Sequence, residues 1–390
     1  MRRIGVVTTS RADYGIYRPL LRGILQDPGL ELSLIVAGMH LCPAFGLTVQ
    51  EIAAEGLPIA ARVETILDDD TPLGVAGSLG LGVARLAPVL AELRPDLLLV
   101  LGDRFEMFAA ACAATPLKIP LAHLHGGELT MGAMDDAFRH AMTKLSHLHL
   151  VATEQYAARV RQMGEEPWRV TVCGALGLVN LRDIPLLEPA ALQDRLGLEL
   201  EPAPLLVTFH PATLEQEDAP SQARELLAAL EPLRLPLVFS LPNADAGGRE
   251  LGRLFREFVA GHPKAVICDN LGTQAYFSLM ARAAAMVGNS SSGIIEAPSF
   301  KLPVVNIGSR QDGRQRAANV IDVACRRDDI ARAIARACSP AFRQGIKDLV
   351  SPYYQPDPVG AILERLMAVD LGPGLINKRF TDLTRSEDRP

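Results

Sequence analysis

The chain has 390 residues, of which 48% are hydrophobic and 22% charged, and its formal net charge is -6. This length exceeds one ordinary hydrophobic core, so two domains are expected. The mildly acidic balance runs through both halves and favours neither nucleic acid nor an anionic membrane as a partner.

The six cysteines (Cys42, Cys112, Cys173, Cys268, Cys325, Cys338) are scattered, with no C-x-x-C pair. They read as core residues in a reducing compartment rather than a zinc knuckle or a disulfide framework. The opening "MRRIGVVTTS" lacks the apolar core of a signal peptide, and runs such as 97–101 fall far short of the roughly 20 residues of a membrane span. A cytoplasmic location is expected.

Short apolar strands alternate with amphipathic helices along the chain. In the first half the pattern predicts strands at 3–8, 31–37, 96–101, 119–124 and 148–153, and helices at 15–26, 83–94, 105–115 and 135–146. Beyond the stretch 175–204, whose sheet pattern lapses, a second series predicts strands at 205–209, 235–240, 264–268, 285–289 and 303–307. Continuous Val/Ile/Leu runs between helices imply parallel strands buried on both faces. The expected architecture is α/β, with two Rossmann-like doubly wound domains at 1–178 and 179–352. A helix and tail, 353–390, would pack back on the first. Ligand is expected in the cleft between the domains, at the carboxyl ends of the strands.

Polar words follow the strands. "TTSRADYG" puts Arg11, Asp13 and Tyr14 at the lip of the expected cleft, where an arginine can pair with phosphate or carboxylate or form a surface ion pair. "GSLGLGVARL" mimics a dinucleotide loop, but no apolar strand precedes it and the third glycine is out of register. No P-loop word occurs either. "LGDRFE" ends a strand in Gly102 and sets Asp103 and Arg104 at its mouth, unless Asp103 simply caps the next helix.

"HLHGGELTMGAMDDAFRH" admits two readings. His123 and His125, two apart, would share a face as metal ligands do, with Glu128 and Asp135 completing the set. Alternatively it is an acid/base loop: Gly126 and Gly127 let the backbone approach a ligand, Glu128 projects from the turn, and Asp135 pairs with Arg139 one helical turn on. The acid/base reading is preferred, because the glycines suit a turn built for close approach. His147 and His149 read as structural.

In the second half His210 follows a strand directly and Asn243 follows the next. "GNSSSGIIEAP" then sets a strand, a glycine, three hydroxyls and a helix in a row, which aims N–H groups and hydroxyls at an anion. Arg310 in "NIGSRQ" would add charge. The plainer alternative is Ser290 as a helix cap.

Together with "GMHLCPAFGLT", "HPAT" and "PNADAG", these words resemble, over nearly the whole chain, the hydrolysing UDP-N-acetylglucosamine 2-epimerases of sialic- and legionaminic-acid biosynthesis. The resemblance implies a B-type glycosyltransferase-like fold and a UDP-sugar as the bound partner, with no cofactor and no metal. It further implies a homo-oligomer, dimer or tetramer. Arg11, His210, Asn243, Ser290, Ser291, Glu296 and Arg310 would hold UDP, with Glu296 on the ribose and the Leu271 backbone beside the uracil. Asp103, Arg104, Asp135 and Arg139 match active-site positions. Where some relatives carry a catalytic glutamate in an H-x-E word this chain has His125, so the base is His125 or Glu128. The implied reaction converts UDP-N-acetylglucosamine to N-acetylmannosamine and UDP through 2-acetamidoglucal. UDP-N,N'-diacetylbacillosamine is the alternative substrate, and a UDP-sugar glycosyltransferase the alternative of another class, since fold does not decide function.

Overall fold

The apolar runs form strands of two separate parallel sheets. The structure is a computed structural model and describes residues 1–69, 71–131, 134–210, 219–240, 248–268 and 271–382; Asn243 lies outside them. The chain divides into two units, one of 1–128, 135–179 and 355–390, the other of 129–134 and 180–354.

In the first unit the strands are β1 Arg2–Thr8, β2 Leu30–Ala37, β3 Ile59–Val63, β4 Leu97–Leu101, β5 Leu121–Leu124, β6 Leu148–Val151 and β7 Val170–Val172. They pair in parallel in the order β3-β2-β1-β4-β5-β6-β7. The order reverses between β1 and β4, and such a switch point opens a crevice beyond the carboxyl ends of the two strands. Ser10 and Arg11 follow β1 there, and Asp103 follows β4. Every residue of β4 is buried, which explains its uninterrupted apolar sequence.

The second unit repeats the plan with β8 Leu205–Thr208, β9 Leu237–Ser240, β10 Ala265–Cys268, β11 Ala285–Gly288, β12 Val304–Ile307 and β13 Val320–Val323, in the order β10-β9-β8-β11-β12-β13. Its switch point falls between β8 and β11, so His210 and Asn289 stand at the matching place. The core of this unit centres on Val207, Phe239, Phe255 and Val305.

The three strands absent from the sequence pattern, β3, β7 and β13, all lie at sheet edges and are partly exposed. Edge strands carry polar residues on their open side, so no apolar run announces them.

One helix departs more strongly from expectation. Pro72–Leu93 runs for 22 residues and takes in the whole "GSLGLGVARL" word. It has the length and hydropathy of a membrane span, which the short apolar runs of the sequence did not suggest. One of its glycines serves helix packing: a Cβ on Gly82 would lie 2.9 Å from that of Ala109, in helix Phe105–Ala114. The word is a helix face rather than a nucleotide loop.

Buried imidazoles make the fold acid-sensitive. Burial holds His40 and His147 near about 4 and His123 and His210 near about 3, against 6.5 for the unfolded chain. The folded state therefore binds fewer protons than the unfolded one as pH falls below 6.5. Each such histidine then removes stability at up to about 1.4 kcal/mol per pH unit. Asp13, raised by burial, acts in the opposite sense. The melting temperature measured by calorimetry is expected to fall between pH 7 and pH 5; a flat profile would mean that these rings are charged in the fold.

Candidate active site

In the first unit the turns after β1, β4 and β5 carry the polar groups. The β1 turn folds around Asp13. This carboxylate accepts from Thr9 N at 3.1 Å, Thr9 Oγ1 at 2.9 Å, Ser10 N at 2.8 Å and Ser10 Oγ at 2.8 Å, and also from Thr8 Oγ1. Ser10 and Asp13 make a capping box, so the helix begins at Arg11 rather than near residue 15. Asp13 and Tyr14 are consequently buried instead of standing at a lip, whereas Arg11 is exposed.

Gly102, at φ +77°, turns the chain after β4. The next helix has Arg104 rather than Asp103 at its N-cap, with no side-chain cap bond. Arg104 donates to the buried Glu106 carboxylate at 3.1 and 3.2 Å. Asp103 is left to pair with Arg139, a guanidinium only 2% exposed that also donates to the His125 carbonyl at 2.7 Å. The sequence paired Arg139 with Asp135 on its own helix, Asp135–Leu145, and the Asp135 charge does act on it; the arginine also reaches off the helix to two strand ends. Burial alone would lower the Arg139 pKa, but the charges of Asp103, Glu128 and Asp135 outweigh it and hold the pKa above its ordinary value.

The two histidines do not share a face. His123 lies within β5, and its Nε2 bonds the Gly102 carbonyl at 2.8 Å, bracing the turn that presents Asp103. His125 stands past the strand end at φ +61°, a left-handed conformation that breaks the alternation. Its backbone is pinned by N–H donation to Leu150 O at 3.0 Å as well as by Arg139. The ring meets Glu128, Nδ1 to Oε1, at 2.7 Å, and its buried Nε2 has no hydrogen-bond partner among the described residues. Among those residues no three His, Cys, Asp or Glu side chains are grouped to hold a metal ion.

Gly126 and Gly127 make room for the protein itself: a Cβ on Gly127, at φ +76°, would lie 2.5 Å from Tyr156 O, and one on Gly126 3.0 Å from His123 Nδ1. His147 accepts from Leu121 N at 3.1 Å, and His149 bonds the buried Glu165 at 2.9 Å.

In the second unit Asn289 organises the switch point. Its side chain clasps His210 both ways, Oδ1 accepting from His210 N at 2.7 Å and Nδ2 donating to His210 O at 2.8 Å. Its carbonyl accepts from Gln311 Nε2 at 2.8 Å and Arg310 Nη1 at 3.1 Å. Gly288 is obligatory here, because a Cβ would lie 1.9 Å from Thr208 O. Ser291, not Ser290, occupies the N-cap of helix Ser292–Ile295 and makes no cap bond; Ser290 Oγ accepts from Ser292 N at 3.3 Å. With only four residues this helix offers N–H groups and hydroxyls more than a macrodipole. Glu296 closes it, and the partly buried Tyr276 has its hydroxyl near Ser290, Ser292 and Thr208. Leu271 is buried, and its carbonyl accepts from Arg195 at 2.8 Å. Leu129–Met134 also belongs to this unit, where Arg314 Nε donates to Leu129 O at 2.9 Å.

Sequence reasoning passed over Glu106, Asn289, Gln311 and Arg314. The asparagine was within reach, as an amide directly after a strand-ending glycine in "GNSSSG"; Glu106 and Gln311 end the words "LGDRFE" and "NIGSRQ", and Arg314 bonds from the loop just beyond the second.

The family model described as UDP-N-acetylglucosamine 2-epimerase matches residues 22–367. A Campylobacter jejuni protein, GDP/UDP-N,N'-diacetylbacillosamine 2-epimerase (hydrolyzing), is 39% identical over 88% of this chain and 89% of its own. The UDP-N,N'-diacetylbacillosamine 2-epimerase (hydrolyzing) of Legionella pneumophila is 37% identical over 86% and 89%. Among solved structures, the UDP-GlcNAc 2-epimerase of Neisseria meningitidis bound to UDP-GlcNAc superposes with a TM-score of 0.81 at 17% identity, covering 94% of this chain and 100% of that one, a likeness of fold. This chain belongs to the hydrolysing UDP-N-acetylglucosamine 2-epimerase family.

Proposed function

We propose that the chain hydrolyses a UDP-linked 2-acetamido sugar with inversion at C2, and that UDP-N,N'-diacetylbacillosamine precedes UDP-N-acetylglucosamine as its substrate. The sequence reading put the two in the other order; the 39% and 37% identical relatives favour this one. The observation that carries the reading is the oriented base: His125 bound through Nδ1 to Glu128, with Nε2 unpartnered, beside the Asp103–Arg139 pair.

The C2 hydrogen has no adjacent carbonyl, so its acidity rises only as the C1–O bond to UDP breaks. Positive charge then develops at C1 and the ring oxygen, where a carboxylate such as Asp103 stabilises it. His125 Nε2 takes the C2 proton, Glu128 stabilises the resulting imidazolium, and the electron pair forms the C1–C2 double bond of the glycal as UDP departs. Protonation of C2 on the opposite face, with Asp135 as the candidate donor, leaves C1 cationic; water adds there as hydroxyl, and the proton it releases returns to the Asp135 carboxylate. Arg11, Arg104, His210, Asn243, Leu271, Ser290, Ser291, Glu296 and Arg310 would bind the nucleotide sugar.

Proton NMR of the purified protein with each UDP-sugar in deuterated water tests the reaction. Free UDP with a 2-epimerised sugar deuterated at C2 is expected for both, faster for the diacetylated substrate. The reverse ranking would restore UDP-N-acetylglucosamine to first place, and no turnover of either would sink the epimerase reading in favour of glycosyl transfer. Arg310→Ala is expected to weaken UDP binding by about 1.5 to 3 kcal/mol, the scale of a charged hydrogen bond. Unchanged affinity in a calorimetric titration would remove Arg310 from the diphosphate site.

A further inference from the structure

The residues that end the described chain are fastened to the back of the helix that carries Arg139. Arg169, 1% exposed, donates to Leu375 O at 2.8 Å, Gly374 O at 3.0 Å and Asn377 O at 3.4 Å. Thr381 N–H donates to Gly164 O at 2.9 Å, and Arg379 N–H to Glu166 Oε2 at 3.2 Å. Lys378 Nζ donates to Ser146 O at 2.6 Å, Lys144 O at 2.8 Å and Thr143 O at 3.4 Å, and pairs with Glu165 at 2.7 Å. The Glu165 carboxylate is fully buried and also receives Lys144 at 2.6 Å and His149 at 2.9 Å. Phe380 lies with its ring 5.1 Å below Lys144 Nζ and fills the space over Gly164, where a Cβ would come within 2.4 Å of it.

Locally, the Thr143 carbonyl also accepts from Ser146 N–H at 3.3 Å, just past the end of the Asp135–Leu145 helix. Lys378 reaches these carbonyls from more than 230 positions away and supplies the positive charge that a helix C-terminus favours. Thr143, one of the carbonyls it holds, is one turn from Arg139 and returns a bond to the Arg139 carbonyl at 3.2 Å. Beneath Leu371 and Ile376 lies a cavity of about 410 Å³, lined also by Leu90, Pro95 and Ile119. Leu375 is buried in the core of the first unit and Leu371 packs against that core, so packing holds the tail as well as its polar bonds do.

We propose that residues 373–382 form a clasp that fixes the Asp135–Leu145 helix from behind, with Lys378 the positioning residue that keeps Arg139 aligned on Asp103 and His125. The proposal rests on the reading that those three residues face the reacting sugar. A misplacement of about 1 Å at such a site lowers turnover by up to about a hundredfold.

The test compares full-length wild type, Lys378→Met, Lys378→Arg and the exposed-site variant Phe380→Ala. Lys378→Met is expected to lose about tenfold or more in kcat with UDP affinity changed by less than about twofold, and Lys378→Arg to recover most of the loss. Amide hydrogen exchange over 139–146 is expected to speed up in Lys378→Met and Phe380→Ala. A purely structural tail would lower the melting temperature while leaving kcat per folded molecule unchanged, and that result overturns the clasp. Should Lys378→Met fail to fold, Phe380→Ala decides by the same two readouts. If wild type itself shows no turnover, the epimerase reading has failed, and unchanged exchange over 139–146 would then separately overturn the clasp.

Discussion

Asp103→Asn is expected to lower turnover by about a hundredfold to a thousandfold while UDP binds as before, because it removes charge without removing shape. Arg139 is buried, so its guanidinium depends on the neighbouring carboxylates, and Asp103 is the one it bonds across strand ends. Asparagine fills the same volume and still offers an oxygen, but it neither neutralises Arg139 nor opposes the positive charge developing at C1. Arg139 keeps the charges of Glu128 and Asp135 beside it, so the variant should melt lower, but by less than the roughly 3 to 5 kcal/mol of a buried charge left unpaired. The two effects separate in one experiment: kinetics at a temperature well below the melting transition report catalysis, and calorimetric titration with UDP reports nucleotide binding. Wild-type turnover in a folded Asp103→Asn protein would remove this carboxylate from the chemistry.

The layout of the two sheets was legible because central parallel strands are buried on both faces and must be apolar throughout, as β4 is. What escaped were features decided by packing between distant segments. Nothing in "IAARV" or "VIDV" distinguishes an edge strand from a loop, since half its residues face outward. The helix 72–93 was read short because its glycines look like loop residues until Ala109 is seen against Gly82.

The site was legible as a set of words but not as a set of partners. Helical spacing pairs Arg139 with Asp135, whose charge acts on it, but says nothing of the two strand ends that the arginine also bonds; strand alternation paired His123 with His125, yet a left-handed φ of +61° at His125 sends the rings to different tasks. Local periodicity has no term for a side chain that leaves its own element. Ser10-x-x-Asp13 was the opposite case, a capping signal readable from sequence that was taken for a binding loop.

Which of His125 and Glu128 takes the C2 proton is decided by substituting each in turn. His125→Asn is expected to lower the rate of C2 deuterium exchange by about 10² to 10⁴, the usual worth of a positioned general base. Glu128→Gln is expected to cost less, because the amide oxygen can still accept from Nδ1 and hold the ring, losing only the charge that stabilises the imidazolium. The double variant should then be no slower than His125→Asn alone, since groups that act as one unit are not additive. If Glu128 were the base and His125 its orienting partner, the ranking would invert, with Glu128→Gln the more damaging change. The geometry favours the first order: Glu128 is 2% exposed and engaged with the ring, whereas His125 Nε2 is the nitrogen without a partner among the described residues. A base needs an open lone pair more than it needs charge, and the left-handed turn at His125 leaves that one nitrogen uncommitted.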